Sequence, residues 1–195
     1  MITITLIRHG RSLIESKHKL TANEYTEWVE LYDKSGVVVE NTYPEETIRT
    51  IMKANIIVTS DLSRSICSAR QICENKERES FSIFRELELP TLSVKKIKFT
   101  PKTWTLLARI AYFLGYSHKC ESHKDAQVRA VNAAKQLIEM ANQHQSIVLL
   151  GHGLFNKYIA RQLRKEGFKG KRYTSSIHWS STTYRKGNDD DINND

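Results

Sequence analysis

Short runs of apolar and β-branched residues alternate along this chain with longer stretches whose apolar residues recur at helical spacing. The predicted strands are Ile2–Ile7, Asn55–Thr59, Phe81–Phe84, Ser146–Leu150, Ser176–Trp179 and Thr182–Arg185. The predicted helices begin near Thr21, Pro44, Asp61, Thr103, Glu121 and Gly153. Strands that alternate with helices are typical of a mostly parallel sheet covered by helices on both faces. The sequence therefore predicts an α/β fold.

The chain of 195 residues is long enough for one domain, which we place at residues 1–186. Residues 90–121 interrupt the alternation of strands and helices, and we interpret them as an insertion or lid. Residues 187–195 are rich in aspartate and are predicted to be a disordered acidic tail.

The helix predicted near Thr103 lies inside residues 90–121 and carries two different stripes. A more polar stripe could present Arg109 or Tyr112 to a substrate, or could face water. A weaker alternative is that this helix lies on a membrane surface. The apolar stripe, which we expect to be buried in the core, consists of Trp104, Leu107, Ala111 and Leu114.

Basic residues exceed acidic ones in this chain. There are 30 lysines and arginines against 22 aspartates and glutamates, which gives a net charge of +8. Such a field attracts anions, either phosphorylated molecules or a nucleic-acid backbone. We do not expect a nucleic-acid partner, because the basic segments lack interleaved aromatic residues on which bases stack.

Several features point to a soluble protein of the cytoplasm. The most apolar stretch, Thr103–Tyr116, is interrupted by Arg109 and is shorter than the roughly 20 residues of a membrane-spanning helix. The amino terminus begins with a predicted strand and carries no signal segment. The odd number of cysteines, 3, suits free thiols in a reducing compartment. We therefore expect a cytoplasmic protein without a membrane partner, whose oligomeric state the sequence leaves open.

Polar clusters follow the predicted strands at their carboxyl ends, where open α/β sheets bind ligands. The four clusters are Arg8-His9-Gly10, Ser60-Asp61-Leu62-Ser63-Arg64, Arg85-Glu86 and Gly151-His152-Gly153. Together they would bring two histidines, two or three arginines and a glutamate to one rim of the sheet. This convergence is the strongest functional signal in the sequence.

This set of side chains suits phosphoryl transfer. A histidine such as His9 is a competent nucleophile when a carbonyl group engages its other ring nitrogen. Arg8, Arg64 and a protonated His152 could bind the phosphoryl oxygens and stabilise charge in the transition state. Glu86 could give a proton to the departing oxygen, although Glu88 is a rival for that role. Because cationic side chains supply the positive charge, we expect neither a metal ion nor another cofactor.

Four motifs resemble the histidine phosphatase superfamily, branch 1, the phosphoglycerate-mutase-like group. They are "LIRHGRS", "VTSDLSRSICSA", "FRELELP" and "IVLLGHGLFNKYIARQL", and they run from Leu6 to Leu163 in the family's order. The resemblance implies a three-layer α/β/α sandwich with a mostly parallel sheet. It also implies that His9 is the phosphorylated nucleophile and that Glu86 is the proton donor. The implied phosphate pocket contains Arg8, Gly10, Arg64 and His152.

The sequence departs from the family's usual pattern beside the nucleophile. Arg11 stands where Glu or Gln is common, and Ser12 follows it; both, together with Arg109, are candidate substrate contacts. The segment Leu13–Glu40 lacks the "Asn…Pro-Leu-Thr" stretch frequent in mutases, and the chain is shorter than typical mutases. We therefore predict a metal-independent phosphatase acting on a phosphomonoester, either a small molecule or a phosphoprotein. The alternatives are a phosphoglycerate-mutase-type phosphotransferase and a non-catalytic module that binds phosphorylated ligands.

Two other histidine-containing segments do not enter the predicted site. The run from His118 to His123 contains possible zinc ligands, but no second pair of ligands follows at zinc-site spacing. We therefore predict no metal site there. His178 lies in a predicted strand, and we favour a structural role for it.

Overall fold

The computed structural model describes residues 1–94 and 96–187. Its centre is a five-stranded sheet in the order β3-β2-β4-β1-β5. The strands are β1 (Ile2–Arg8), β2 (Ile56–Thr59), β3 (Arg78–Ser80), β4 (Ser146–Gly151) and β5 (Ser181–Lys186). All neighbouring strands are parallel except β5, which runs antiparallel to β1. The predicted mostly parallel sheet is therefore confirmed.

Helices cover both faces of this sheet and complete a three-layer α/β/α sandwich. They are α1 (Ala22–Lys34), α2 (Glu45–Lys53), α3 (Ser63–Ile72), α4 (Pro101–Phe113), α5 (His123–His144) and α6 (Gly153–Lys165). Along β4, Ile147 and Leu149 pack in the core beneath α5 and α6, whereas Val148 and Leu150 pack in the core beneath α2 and α3. This strand is an unbroken apolar run because both of its faces are buried.

Strand register brings the predicted functional residues to one edge. In the parallel pair of β1 and β4, Arg8 lies opposite Gly151. His9 and His152 follow these residues, so both histidines leave the sheet side by side. The strand on the other side of β4, β2, ends at Thr59 and points to the same edge. The sheet therefore gathers three of the four polar clusters by backbone pairing alone.

The predicted strand at Phe81–Phe84 is wrong. The strand lies earlier, at Arg78–Ser80, and a 3-10 turn occupies Ser82–Phe84. The strand is polar because it lies at the edge of the sheet, where charged residues are favoured. Phe84 is fully buried, so the apolar residues of this segment fill the core from the turn.

The predicted strand at Ser176–Trp179 is also wrong, because this segment forms bends before β5. Trp179 has a positive φ of 62° and donates its backbone N–H to the carbonyl of Arg8. Helix α3, which is predicted to begin near Asp61, begins at Ser63. The helix is capped by Leu62 without a side-chain hydrogen bond, and Asp61 instead pairs with Arg85.

Helix α4 packs against α1 and buries a different face from the predicted one. Its buried residues include Trp104, Ala108 and Tyr112, whereas Leu114 is 82% exposed. Leu107 is likewise exposed, so the predicted stripe does not form the buried face. Trp104 belongs to a small separate core that α4 shares with α1. Tyr112 is 2% exposed and packs in the main core, so it does not form the polar face considered for substrate contact.

The predicted acidic tail lies, from residue 188 onward, outside the described residues. Among the helices that the structure describes, none combines the length and apolar character needed to cross a lipid bilayer.

Candidate active site

A cavity of about 790 Å³ opens at the carboxyl edge of the sheet. Its walls come from the loop after β1, from α1 and α4, from the starts of α3 and α6, and from the segment after the 3-10 turn. Of the predicted site residues, it is lined by Arg8, His9, Arg11, Ser12, Arg64, Glu86 and Arg109. Segments far apart in the sequence therefore meet at one site, as we predicted from the polar clusters at the strand ends.

His9 is held in one tautomer by its own loop. Its Nδ1 lies 2.7 Å from the carbonyl oxygen of Gly10. A carbonyl oxygen only accepts hydrogen bonds, so Nδ1 carries the proton and Nε2 keeps its lone pair. Burial, and next the nearby charge of Arg64, hold the pKa of His9 well below its ordinary value. At neutral pH His9 is thus an uncharged imidazole with its basic nitrogen available.

His152 lies behind His9 rather than in the cavity wall. The two imidazole rings are 5.1 Å apart, and His152 is fully buried. Its Nε2 lies 2.7 Å from Oγ of Ser60, which follows β2. Its Nδ1 is buried with no hydrogen-bond partner among the residues described. Burial, followed by the charge of Arg64, lowers the pKa of His152 well below the ordinary histidine value.

Two guanidinium groups, the buried one of Arg64 and the partly buried one of Arg8, flank this histidine pair. Arg64 is 3% exposed, and Tyr32 of α1 lies 5.0 Å from its guanidinium carbon. Arg8 donates from Nη1 to the carbonyl of Ser176, and burial lowers its pKa. The Nε atoms of both arginines are buried without a hydrogen-bond partner in the described part of the chain. These groups suit an anion held by more than one arginine.

Arg64 also pairs with a carboxylate that the sequence analysis did not consider. Nη1 of Arg64 lies 2.7 Å from Oδ1 of Asp33, whose side chain is 44% exposed. We expect Asp33→Asn to tighten the binding of inorganic phosphate about two- to fivefold, because a partly exposed carboxylate repels the incoming anion modestly. Calorimetry gives the dissociation constant without relying on turnover.

The matched control for Asp33→Asn is Glu30→Gln, which removes the same charge from an exposed position of α1. This control should leave phosphate affinity within about twofold of the unaltered protein. Weaker phosphate binding by Asp33→Asn would contradict the prediction and would show that Asp33 mainly orients Arg64.

Glu86 lies at the amino end of α6. Its carboxylate accepts hydrogen bonds from the backbone N–H groups of Leu154 and Phe155, at 3.1 and 2.8 Å. Since α6 begins without a side-chain cap of its own, Glu86 supplies that cap from another segment. The rival carboxylate of Glu88 also lines the cavity, and it accepts the N–H of Glu121 at 3.0 Å. Of the two carboxylates, Glu86 is therefore the one held at the amino end of α6, the helix that directly follows His152.

The remaining candidate contacts occupy different positions around the nucleophile. Arg11 pairs with Glu40 at 3.6 Å, and the buried Ser12 lies 2.8 Å from Ser35 through their hydroxyl oxygens. Arg109 of α4 lines the cavity, as the sequence allowed. Their contact with a substrate stays a prediction.

Gly10 is required by close packing. A Cβ at this position would lie 2.6 Å from Cζ2 of the buried Trp179. The N–H of Gly10 donates to Oγ of Ser68 at 2.9 Å, and its direct contact with phosphate stays a prediction. We expect Gly10→Ala to lower the free energy of unfolding by about 1–3 kcal/mol, because the indole or the loop must shift. Chemical denaturation measures this difference.

The control for Gly10→Ala is Gly187→Ala, because nothing lies within 4 Å of a Cβ built at Gly187. Its free energy of unfolding should stay close to that of the unaltered protein. Equal stability of both variants and the unaltered protein would show that the loop after β1 accommodates a methyl group without strain.

The buried histidines make stability depend on pH. Folding lowers the pKa of His9 and of His152, so below about pH 6.5 the unfolded chain takes up protons that the folded protein does not. The free energy of unfolding should therefore fall on acidification, by up to about 1.4 kcal/mol per pH unit for each histidine. Chemical denaturation between about pH 7.5 and about pH 5.5 tests this expectation. A constant free energy across that interval would contradict it.

Three residues of this region were missed or assigned no functional role. His178 lies 5.4 Å from His9 between ring centroids, and its Nδ1 contacts the His9 carbonyl at 2.8 Å. Ser60 contacts His152, and Asp33 contacts Arg64. The position of Ser60 directly after β2 could have identified it, whereas the sequence carries no signal for Asp33, which is one of several charged residues in the helical pattern of α1.

Among residues 1–94 and 96–187, which the structure describes, no group of three or more His, Cys, Asp or Glu side chains is arranged to hold a metal ion. His123 of the run considered above instead contacts the hydroxyl group of Tyr158 at 2.8 Å.

Residues 4–188 match the family described as the histidine phosphatase superfamily (branch 1). Because this match spans nearly the whole chain, the protein belongs to the histidine phosphatase superfamily. No curated protein matches the chain.

Solved structures from this superfamily are similar over most of the chain. A phosphoglycerate mutase from Bacillus anthracis str. Sterne covers 93% of this chain and 86% of its own, with a TM-score of 0.57 and 16% identity. The phosphoserine phosphatase from Entamoeba histolytica, in complex with 3-phosphoglyceric acid, covers 94% and 90%, with a TM-score of 0.53 and 16% identity. A mycobacterial glucosyl-3-phosphoglycerate phosphatase covers 84% and 80%, with a TM-score of 0.53 and 16% identity. The fold is therefore phosphoglycerate-mutase-like, and similar structures include both phosphatases and a mutase.

Proposed function

We propose that this protein is a cytoplasmic, metal-independent phosphatase that hydrolyses a phosphomonoester through a phosphohistidine on His9. The observation that carries the proposal is the state of His9. Its Nδ1 is engaged by the Gly10 carbonyl, its pKa is lowered, and its ring lines the cavity between Arg8 and Arg64. An uncharged, fixed imidazole facing an anion-binding cavity is the arrangement that in-line attack on phosphorus requires.

The first step transfers the phosphoryl group to the protein. The lone pair on Nε2 of His9 forms a bond to phosphorus while the bond between phosphorus and the ester oxygen breaks. Glu86, in its carboxyl form, gives its proton to the departing oxygen, which leaves as an alcohol. The Gly10 carbonyl stabilises the Nδ1–H as the ring becomes positively charged.

The second step returns His9 to its starting state. A water molecule attacks phosphorus, and the carboxylate of Glu86 accepts the proton that this water loses. The bond between phosphorus and Nε2 breaks, and inorganic phosphate leaves. Glu86 thus ends with the proton that it had at the start, so the cycle balances.

Positive charge for both steps comes from the protein. Arg64 is buried and Arg8 is partly buried, and each has an Nε without a partner in the described part of the chain. Burial strengthens their interaction with the transferring phosphoryl group. In this proposal His152 supports the phosphate pocket from behind the cavity wall, with its ring 5.1 Å from that of His9, since a bound phosphate would favour its protonated form. Arg11, Ser12 and Arg109 contact the rest of the substrate.

The test follows the phosphoryl group through a reaction with a generic aryl phosphate in EDTA. We expect release of inorganic phosphate, together with a transient mass increase of one phosphoryl group on the peptide containing His9. Return of the phosphoryl group to an added acceptor in place of release would favour a mutase. Phosphate binding without any turnover, over a panel of esters, would favour a non-catalytic binding module.

A further inference from the structure

Helix α1 presents a row of aromatic side chains to the cavity. Tyr25, Trp28 and Tyr32 recur at helical spacing and all three line the cavity wall. The rings of Tyr25 and Trp28 are stacked with centroids 6.0 Å apart, and those of Trp28 and Tyr32 are stacked at 5.2 Å. Together they form a continuous aromatic ridge.

This aromatic ridge starts at the phosphate end of the cavity. Tyr32 lies under the guanidinium group of Arg64, at 5.0 Å from its ring centroid. Trp28 comes next, and Tyr25 is tied to α4 by a hydrogen bond of 2.9 Å to Thr105. If the phosphoryl group of a substrate binds at Arg64, the rest of that substrate therefore lies beside the aromatic ridge.

Other elements complete a chamber around the ridge, and its wall combines apolar side chains with charged ones such as Lys102 and Arg109. The cavity is also lined by Ile14, Val29, Leu62, Leu87, Leu89 and Leu106. Its volume of about 790 Å³ is in the range of pockets that enclose whole drug-sized ligands. A phosphoryl group and a water molecule fill only a small part of such a space. The chamber is built for the leaving group.

We propose that the leaving group of the substrate is a flat, apolar body of aromatic-ring size that packs its face against the edge of Trp28. This inference rests on the proposed phosphatase function and assigns its substrate class, an aryl or arylalkyl phosphomonoester. Edge-to-face aromatic pairs are favourable beyond the area that they bury, and this arrangement leaves the stacking of Trp28 with Tyr25 and Tyr32 intact. Trp28 holds the central position on the ridge, and Leu106 of α4 contributes from a second helix.

The first test compares two esters of primary alcohols, 2-naphthylmethyl phosphate and ethyl phosphate, so that both leaving groups are alkoxides. We expect the unaltered protein to prefer the naphthylmethyl ester in kcat/KM. Trp28→Ala and Leu106→Asn should each lower kcat/KM for that ester about tenfold, mainly through KM, because the apolar contacts that they remove are worth that much. Ethyl phosphate should change less than about twofold.

Matched variants separate the chamber from general damage to the fold. Phe113→Ala removes an aromatic ring from the outer face of α4, where it is 47% exposed and lies outside the cavity wall. This control should leave the ratio between the two esters unchanged. Trp28→Phe should restore most of the preference. Leu106 is 58% exposed, so its variant should fold even where Trp28→Ala does not.

A binding measurement keeps this inference separate from the proposed function. We expect 2-naphthylmethylphosphonate, which has no ester bond to break, to bind at least about tenfold more tightly than methylphosphonate, and to lose this advantage in both variants. Preferential binding of 2-naphthylmethylphosphonate, without hydrolysis of either ester, would retain the role of the chamber and overturn the proposed phosphatase function. Hydrolysis of both esters with equal kcat/KM would overturn the role of the chamber and retain the proposed phosphatase function. The same conclusion would follow if Trp28→Ala and Leu106→Asn lowered kcat/KM equally for both esters.

The ring can belong to a small molecule or to a phosphotyrosine side chain. Parallel assays with free phosphotyrosine and with a phosphotyrosine peptide distinguish these sources. Dependence of either reaction on both Trp28 and Leu106 supports the assignment. Independence of both reactions from these residues overturns it.

Discussion

His9→Ala is expected to lower kcat for hydrolysis of an aryl phosphate by roughly 10⁴- to 10⁶-fold, as is typical for loss of a nucleophile. Alanine has no atom that can form the bond to phosphorus. The arginines and the cavity would still bind the ester, so its affinity should change far less than its turnover. Single-turnover rates at saturating ester, together with binding of inorganic phosphate by calorimetry, measure the two quantities separately.

Folding and a histidine control complete the design for His9→Ala. Because His9 is buried, the thermal unfolding of the His9→Ala variant must be compared with that of the unaltered protein. His118→Ala is the matched control, since His118 is exposed and lies outside the cavity wall. Its activity should stay within about twofold of the unaltered protein. Turnover that survives in folded His9→Ala would remove His9 from the proposed mechanism.

The sequence predicted the sheet edge well because parallel strands leave little freedom. β4 is largely an apolar run, β1 alternates apolar residues with threonines, and each strand is followed by a histidine beside glycine. Once such strands pair in parallel, their carboxyl ends meet whatever the helices do. The local pattern therefore predicted that His9 and His152 share one edge of the sheet, and the pairing of β1 with β4 places their rings 5.1 Å apart.

Elements that depend on partners in other segments were predicted poorly. β3 is short and polar because it lies at the edge of the sheet, so its sequence lacks the apolar signal of a buried strand. The buried face of α4 depends on contact with α1, and the exposed Leu114 shows that apolar spacing alone does not identify it. The ion pair between Asp33 and Arg64 joins two helices that are neighbours only in the folded chain.

The aromatic ridge illustrates a further limit. Tyr25, Trp28 and Tyr32 have the spacing of any amphipathic helix, which usually marks residues that pack in a core. Tyr25 does pack there, against Trp104. Only the position of α1 beside the strand ends shows that the same face also borders the cavity. Pattern therefore predicted the helix, whereas tertiary packing decided its role.

Glu86→Gln is expected to lower kcat by about 10²- to 10⁴-fold for esters of ordinary alcohols, the usual range for loss of a general acid. The effect should be much smaller for an aryl ester such as 4-nitrophenyl phosphate. A nitrophenolate leaves without protonation because it is already a weak base, whereas an alkoxide must receive a proton as it departs. The measurement is kcat/KM for a series of esters graded by the basicity of the leaving group.

Glu86 also caps α6 through Leu154 and Phe155, so a simple loss of activity would not identify a proton donor. Damage to the cap would slow hydrolysis of all esters alike. Loss of the general acid would instead make kcat/KM fall more steeply as the basicity of the leaving group rises. Glu88→Gln is the matched comparison, because Glu88 lines the same cavity and accepts a backbone hydrogen bond from a different segment. We expect its dependence on the leaving group to equal that of the unaltered protein. A steepened dependence in Glu88→Gln, with none in Glu86→Gln, would transfer the role of proton donor to Glu88.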